Sequence, residues 1–205
     1  MFDQEAVFNT EPFVKAGEYL YALVEMGAYP QNFNALDYAE GISMFHDGKA
    51  AMRFNGTWEM PGHIEALGDD VDAFTWPVMP EEASETGWLI VQNQAWAIGA
   101  SSENKDAAAT FLEFVMSDER QAVLAEEGYM IAAQNVPFDE SKLHPMAAKI
   151  ATELGSTPNP ILIWDVMLGQ NIGKELNLAT QAILGGADIQ RTLDSLNRIA
   201  EVEWD

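Results

Sequence analysis

The chain has 205 residues and 48% hydrophobic content, which suits one large domain or two small lobes and excludes a disordered polymer. Its 33 Asp and Glu against 10 Lys and Arg give a net charge of −23, which argues against nucleic acid and anionic membranes as partners, because both need clustered cations. Cysteine is absent, which removes disulfides, thiol catalysis and zinc–thiolate sites, and no apolar run approaches the roughly 20 residues that span a bilayer.

The first predicted helix has Thr10 as its cap and Pro12 in its first turn, with Phe13, Ala16, Leu20, Leu23 and Val24 on one face. Gly27 and Pro30 end it. A second helix is predicted from an Asn34 cap, with Asp37 in its first turn, through Ala39, Ile42 and Phe45, closed by Asp47-Gly48. Ala50 to Phe54 reads as a short strand ending at Asn55-Gly56. Thr57 then caps a short helix toward Leu67, stopped by Gly68. Val71 to Val78 reads as a strand whose end is weakened by Pro77 and Pro80, followed by an acidic loop. Trp88 to Ile98 is strand-like, interrupted by Gln92-Asn93-Gln94.

Ser101 to Asn104 starts a helix with Ala108, Phe111, Leu112 and Val115 on its face, and Ser117-Asp118 caps the next, ending at Gly128. Pro145 starts another, with Met146, Ile150 and Leu154 aligned and Gly155 as its stop. Thr157 to Pro160 is a turn or linker. The long helix after it aligns Leu168, Ile172, Leu176, Ala179 and Ile183 and ends at Gly185-Gly186. Asp188 caps the last helix, with Ile189, Leu193, Leu196 and Ala200 on its stripe. The predicted class is α/β and helix-rich.

The motifs of catalysis are absent. There is no G-x-S-x-G, P-loop or G-x-G-x-x-G, and His46, His63 and His144 form no HxxxH or HxH pair. Asp69-Asp70-Val71-Asp72 lacks the glycine and terminal glutamate of a calcium loop. In so acidic a chain, two nearby carboxylates carry no information about glycoside hydrolysis. The chain is therefore expected not to be an enzyme and to need no cofactor or metal.

Three segments together resemble a family. Phe45 to Trp58, FHDGKAAMRFNGTW, is similar to the "F..GKAAM...G.W" stretch of the extracellular solute-binding proteins of carbohydrate ABC importers, the maltodextrin-binding-protein type. Ala97-Ile98, Asn104 to Phe114 and Ser117 to Gln121 look like that family's "AI...S.NK.AA..FL.F..S.E.Q". The long helix, Gly185-Gly186 and Asp188 to Leu196 resemble its end. Gly128-Tyr129-Met130-Ile131 departs from the pattern, lacking the proline of the Gly-x-x-Pro turn. The resemblance implies a periplasmic-binding-protein-like (type II) fold. Residues 1–92 would be the first part of the C-terminal lobe, 93–143 a segment crossing to the N-terminal lobe, and 144–205 the closing helices. On this reading the family's N-terminal lobe and signal peptide would have no counterpart among these residues.

The implied ligand is a sugar or oligosaccharide, and the implied partners are the importer's membrane subunits, at a periplasmic or extracellular membrane-associated location. Sugar sites combine aromatic faces, which pack on a pyranose, with amides or carboxylates that bind its hydroxyls. Trp58 follows Asn55-Gly56 at a turn where backbone approaches closely, and in the family the Trp of "G.W" commonly stacks on the sugar. Asn55 is a candidate for the hydroxyls, with turn formation as its alternative role. Asn93 and Gln94, with Gln92, are amides in an apolar run, expensive to bury unpaired. They are candidates beside Trp88, while Trp96 is assigned to the core. Trp164 and Asp165 are placed at the opening of the long helix as further candidates, and for Asp165 a first-turn charge favoured by the helix dipole is the simpler role. Arg53 is expected to pair with a carboxylate. A surface left by the missing lobe is expected to favour self-association. The alternatives from other classes are a glycoside-processing enzyme domain and an acidic interaction module without a small ligand.

Overall fold

The computed structural model describes residues 7–75, 89–90, 96–127, 136–156, 161–162 and 167–204. The chain divides into two compact units. One comprises Met1–Met44 with Leu162–Asp205, the other Phe45–Ile161.

The first unit is built on three helices: α1 (Glu11–Glu25), with α7 (Gln170–Leu184) and α8 (Ile189–Trp204) from the far end of the chain. The predicted stripes meet there. Ile172, Ala179 and Ile183 of α7 bury against Leu193, Leu196 and Ala200 of α8, with Phe8, Phe13, Val14, Tyr21 and Trp204 around them. Phe8 packs edge-on to Phe13 at 5.4 Å and against Trp204 at 5.9 Å between ring centroids. On α1 the close approach is made by buried Gly17 and not by Ala16, which is exposed. A β-carbon on Gly17 would stand 2.8 Å from the Ile189 side chain. Polar anchoring is long-range: the Phe8 N–H donates to the buried Asn197 Oδ1 at 3.0 Å.

Helix ends follow the local chemistry of the sequence. Past α1, Gly27 is left-handed at φ 70°, its N–H donates to the Val24 carbonyl, and the Ala28 N–H reaches back to Leu23, satisfying carbonyls that have no partner within the helix. Gly186 repeats that arrangement after α7, and Asp188 Oδ1 accepts from the Arg191 N–H at the start of α8. Thr10 precedes α1 as expected, but its hydroxyl donates to the Val7 carbonyl and makes no cap bond.

Helix α2 (Tyr38–His46) is capped by Asp37, not by Asn34. Asp37 Oδ1 accepts from the Glu40 N–H and Glu40 Oε2 accepts from the Asp37 N–H, both at 2.8 Å, a reciprocal capping box. Asn34 lies in a 3-10 turn (Phe33–Ala35), and its amide donates 2.8 Å to the Gln181 carbonyl near the end of α7. Asp37→Ala is expected to cost about 1 kcal/mol, read as a lower midpoint in urea unfolding.

The second unit carries α3 (Met60–Leu67), α4 (Lys105–Val115), α5 (Asp118–Glu126) and α6 (Pro145–Ser156). Its core joins Met60, Ile64 and Leu67 of α3 to Met146, Ala147 and Ile150 of α6, with Phe45, Val71 and Ala73. Helix α6 runs through Gly155, the expected stop, and Leu154 lies outside the described side chains. Lys149 clamps this core from outside by a 2.8 Å ion pair with Asp72. Ser117 caps α5 by accepting from the Arg120 N–H, and buried Gln121 donates to the Val115 carbonyl at 3.0 Å.

Two predicted strands did not form among the described residues. Ala50 to Phe54 has neither helix nor strand, and Val71 to Thr75 is likewise irregular. Strand structure is limited there to β1 (Leu89–Ile90) paired with β2 (Ile161–Leu162), two residues each. The helix-rich part of the expectation holds. Alternation over a few residues signals a strand only when a neighbour supplies the ladder, and Met52 and Phe54 instead project into solvent at 72% and 73% exposure.

Candidate functional site

The site is built on the irregular segment between α2 and α3. Asn55 closes its own turn, its Oδ1 accepting from the Gly56 N–H at 2.9 Å. A 3-10 turn, Thr57–Glu59, follows directly and leads into α3, with the Glu59 N–H donating to the Gly56 carbonyl at 3.2 Å. Thr57 is thus the first residue of the turn and not its cap.

Trp58 projects from this turn with 50% of its surface exposed. Its six-membered ring folds back over Gly56: a β-carbon there would fall 2.2–2.5 Å from three indole carbons. The glycine is required for close approach, because its φ of −107° is open to any residue. One indole face is therefore backed by main chain while half of the side chain stays in solvent, an arrangement able to receive an apolar ring face.

The helices on either side of this segment carry a histidine pair that the spacing rules did not find. His46 Nε2 and His63 Nδ1 are 2.8 Å apart, with the rings at 88°. Phe45 meets His63 edge-on at 5.1 Å. Burial holds His63 below the ordinary histidine value; the charge of His46 lowers it further, Glu59 opposes, and Arg53 adds a smaller lowering. Seventeen residues separate the two in sequence, so only the folding of α3 onto the end of α2 could reveal them.

The structure brings Trp58 and Asn55 together on one turn. Trp88, Asn93, Gln94, Trp164 and Asp165 lie outside the described residues. The long helix opens at Gln170, with Gly169 before it. Trp96, assigned to the core, is 65% exposed and touches Phe111 edge-on at 6.0 Å. Phe111, assigned to the buried face of α4, is exposed as well. Arg53 is half-buried and its charge reaches His63. Open grooves on the first unit run along α7 at Lys174 and Asn177 and between α7 and α8 at Arg191 and Ser195, and these do not include Trp58 or Asn55. Among the described residues no group of three or more His, Asp or Glu is placed to hold a metal, and no helix is long and apolar enough to cross a membrane.

Compared with curated proteins, the chain has no match. A family model described as bacterial extracellular solute-binding protein matches residues 2–152. That span contains the Phe45–Trp58 segment and the α4–α5 pair, two of the three segments on which the resemblance was read. Since the match takes in well over half of the sequence, including the turn that presents Trp58, the chain belongs to the bacterial extracellular solute-binding protein family.

Proposed function

We propose that this chain binds a sugar or oligosaccharide as part of the binding protein of a carbohydrate ABC importer, of the maltodextrin-binding-protein type. Family membership already makes it a solute-binding component that works with ABC-transporter subunits, from an extracellular or periplasmic parent, within a family of binding proteins and not of enzymes. The finer reading adds the chemistry of the ligand. It also adds the type II binding-protein fold, with residues 1–92, 93–143 and 144–205 as first part of the C-terminal lobe, crossing segment and closing helices.

One observation carries the reading: the half-exposed Trp58 indole, seated on Gly56. A pyranose has an apolar face of C–H groups that stacks on such a ring, while its hydroxyls need amides or carboxylates at the edge. Asn55 is beside the ring in sequence, and Trp88, Asn93, Gln94, Trp164 and Asp165 are the further residues we assign to the ligand. The net charge of −23 suits a neutral polyhydroxylated ligand and opposes an anionic one.

Isothermal calorimetry against a panel of mono- and oligosaccharides tests this. The expected result is saturable binding of at least one of them, weakened about 30-fold in Trp58→Ala, the loss of roughly 2 kcal/mol typical of an aromatic anchor. Absence of heat across the panel, or an unchanged affinity in the variant, would refute it.

A further inference from the structure

His46 and His63 close a loop. His46 is the last residue of α2, His63 lies within α3, and Asn55, Gly56 and Trp58 all fall between them. From Ala50 to Gly56 the backbone has no helix or strand between its two ends. Those ends are pinned by the histidine contact and by Phe45 and Met60, which belong to the same core as Val71, Met146 and Ile150.

A neutral histidine carries one N–H and one bare ring nitrogen, so a bond between two of them needs one donor and one acceptor. The first proton added to the pair leaves a charged ring donating to a neutral one, and the bond survives. A second proton makes both facing nitrogens donors, so the bond is lost and two like charges are left about 3 Å apart. The surroundings do not relieve this. Glu59 favours a charge on His63, but Arg53 opposes it. Asp47, next to His46, is bonded to Lys49 at 2.8 Å. From α6 come the apolar Met146, Ala147 and Ile150; its Lys149 is held by Asp72, and His144 accepts from the Met146 N–H at 3.2 Å.

We propose that the His46–His63 hydrogen bond is a proton-operated latch on the Trp58 turn: closed while at least one of the two rings is neutral, and opened when both are protonated, which frees the segment between them. The direction follows from the loss of the bond once both rings are charged, and it agrees with His63, which burial and then the charge of His46 hold below the ordinary histidine value. A group that resists protonation in the fold gives stability that is complete above its unfolded value and is lost as pH falls through the folded one. The latch therefore holds at neutral pH and releases in acid. That release would also weaken ligand binding, a consequence that rests on the sugar reading of Trp58, whereas the latch itself does not.

The test follows the histidine ring signals of the intact chain by NMR from pH 8 to pH 4.5, with hydrogen exchange of residues 47–63, corrected for intrinsic rates, over the same range. The expected result is coupled titration of the His46 and His63 rings, with amide protection across the turn kept through the first protonation and falling at least tenfold as the second proton binds. In His46→Gln/His63→Gln, which can keep an amide bond without titrating, that pH dependence should vanish. Two rings titrating independently, or protection unchanged through their titration, would overturn the latch on wild-type protein alone. Oligosaccharide titrations at pH 7.5 and 5.5 separate the two readings. No binding at either pH refutes the sugar assignment and leaves the latch to be decided by the rings. Equal binding at both, with protection lost, overturns the coupling of latch to platform.

Discussion

Truncation of Leu196 to alanine is expected to destabilise the α1–α7–α8 unit by about 3 kcal/mol, lowering its calorimetric melting temperature by roughly 15 °C. Leu196 is 2% exposed, in one cluster with Ile172, Ile183 and Leu193. Its loss removes the transfer energy of the buried methyl and methylene groups, and the rigid packing of three helices leaves a cavity that collapses only in part. The same helix supplies the control. Val202 is 81% exposed, so Val202→Ala should stay within about 0.5 kcal/mol. A Leu196→Ala melting temperature as little changed as that of Val202→Ala would mean that α7 and α8 are not packed as described.

In Gly56→Ala, oligosaccharide affinity is expected to fall about tenfold or more while the melting temperature moves by no more than about 2 °C. The added methyl would stand within 2.5 Å of three indole carbons of Trp58, so the two cannot keep their places. The displaced partner is a half-exposed side chain, which can rotate away into water without opening the core, so the effect on stability is small. The ligand, however, loses the orientation of its platform, and about 1.4 kcal/mol of binding energy is a factor of ten in affinity. Calorimetry on the variant and on wild type, with thermal unfolding of both, checks the two halves together. Undiminished affinity would show that the indole's seat on Gly56 is irrelevant to binding. A large drop in melting temperature would place the ring in the core and not at a site.

Much of the fold was legible from residues that act locally. The caps at Ser117 and Asp188, the stops at Gly27 and Gly186 and the apolar stripes of α7 and α8 depend on neighbours within one or two turns, and each is where the sequence places it. The Asp37–Glu40 box shows the limit of such reading. Asn34 and Asp37 are both good caps, and the choice between them turned on Glu40 reaching back while Asn34 was drawn to the Gln181 carbonyl. The Ala50–Phe54 strand failed for a related reason: β-prone side chains need a partner strand, and none is beside them among the described residues.

The candidate site divides along the same line. The turn at Asn55-Gly56 and the exposed tryptophan after it are properties of adjacent residues and were visible in order. The histidine pair, the Lys149–Asp72 clamp and the use of Gly17 in place of Ala16 as the contact of α1 were not. By itself the sequence determined the helix-rich class, the helix ends and core stripes of α7 and α8, and the family, because capping, periodicity and motif spacing are short-range or linear properties. Only the tertiary structure decided which distant polar groups meet and which aromatics stay in water, because those depend on how the chain closes over itself, and loop closure leaves no local signature.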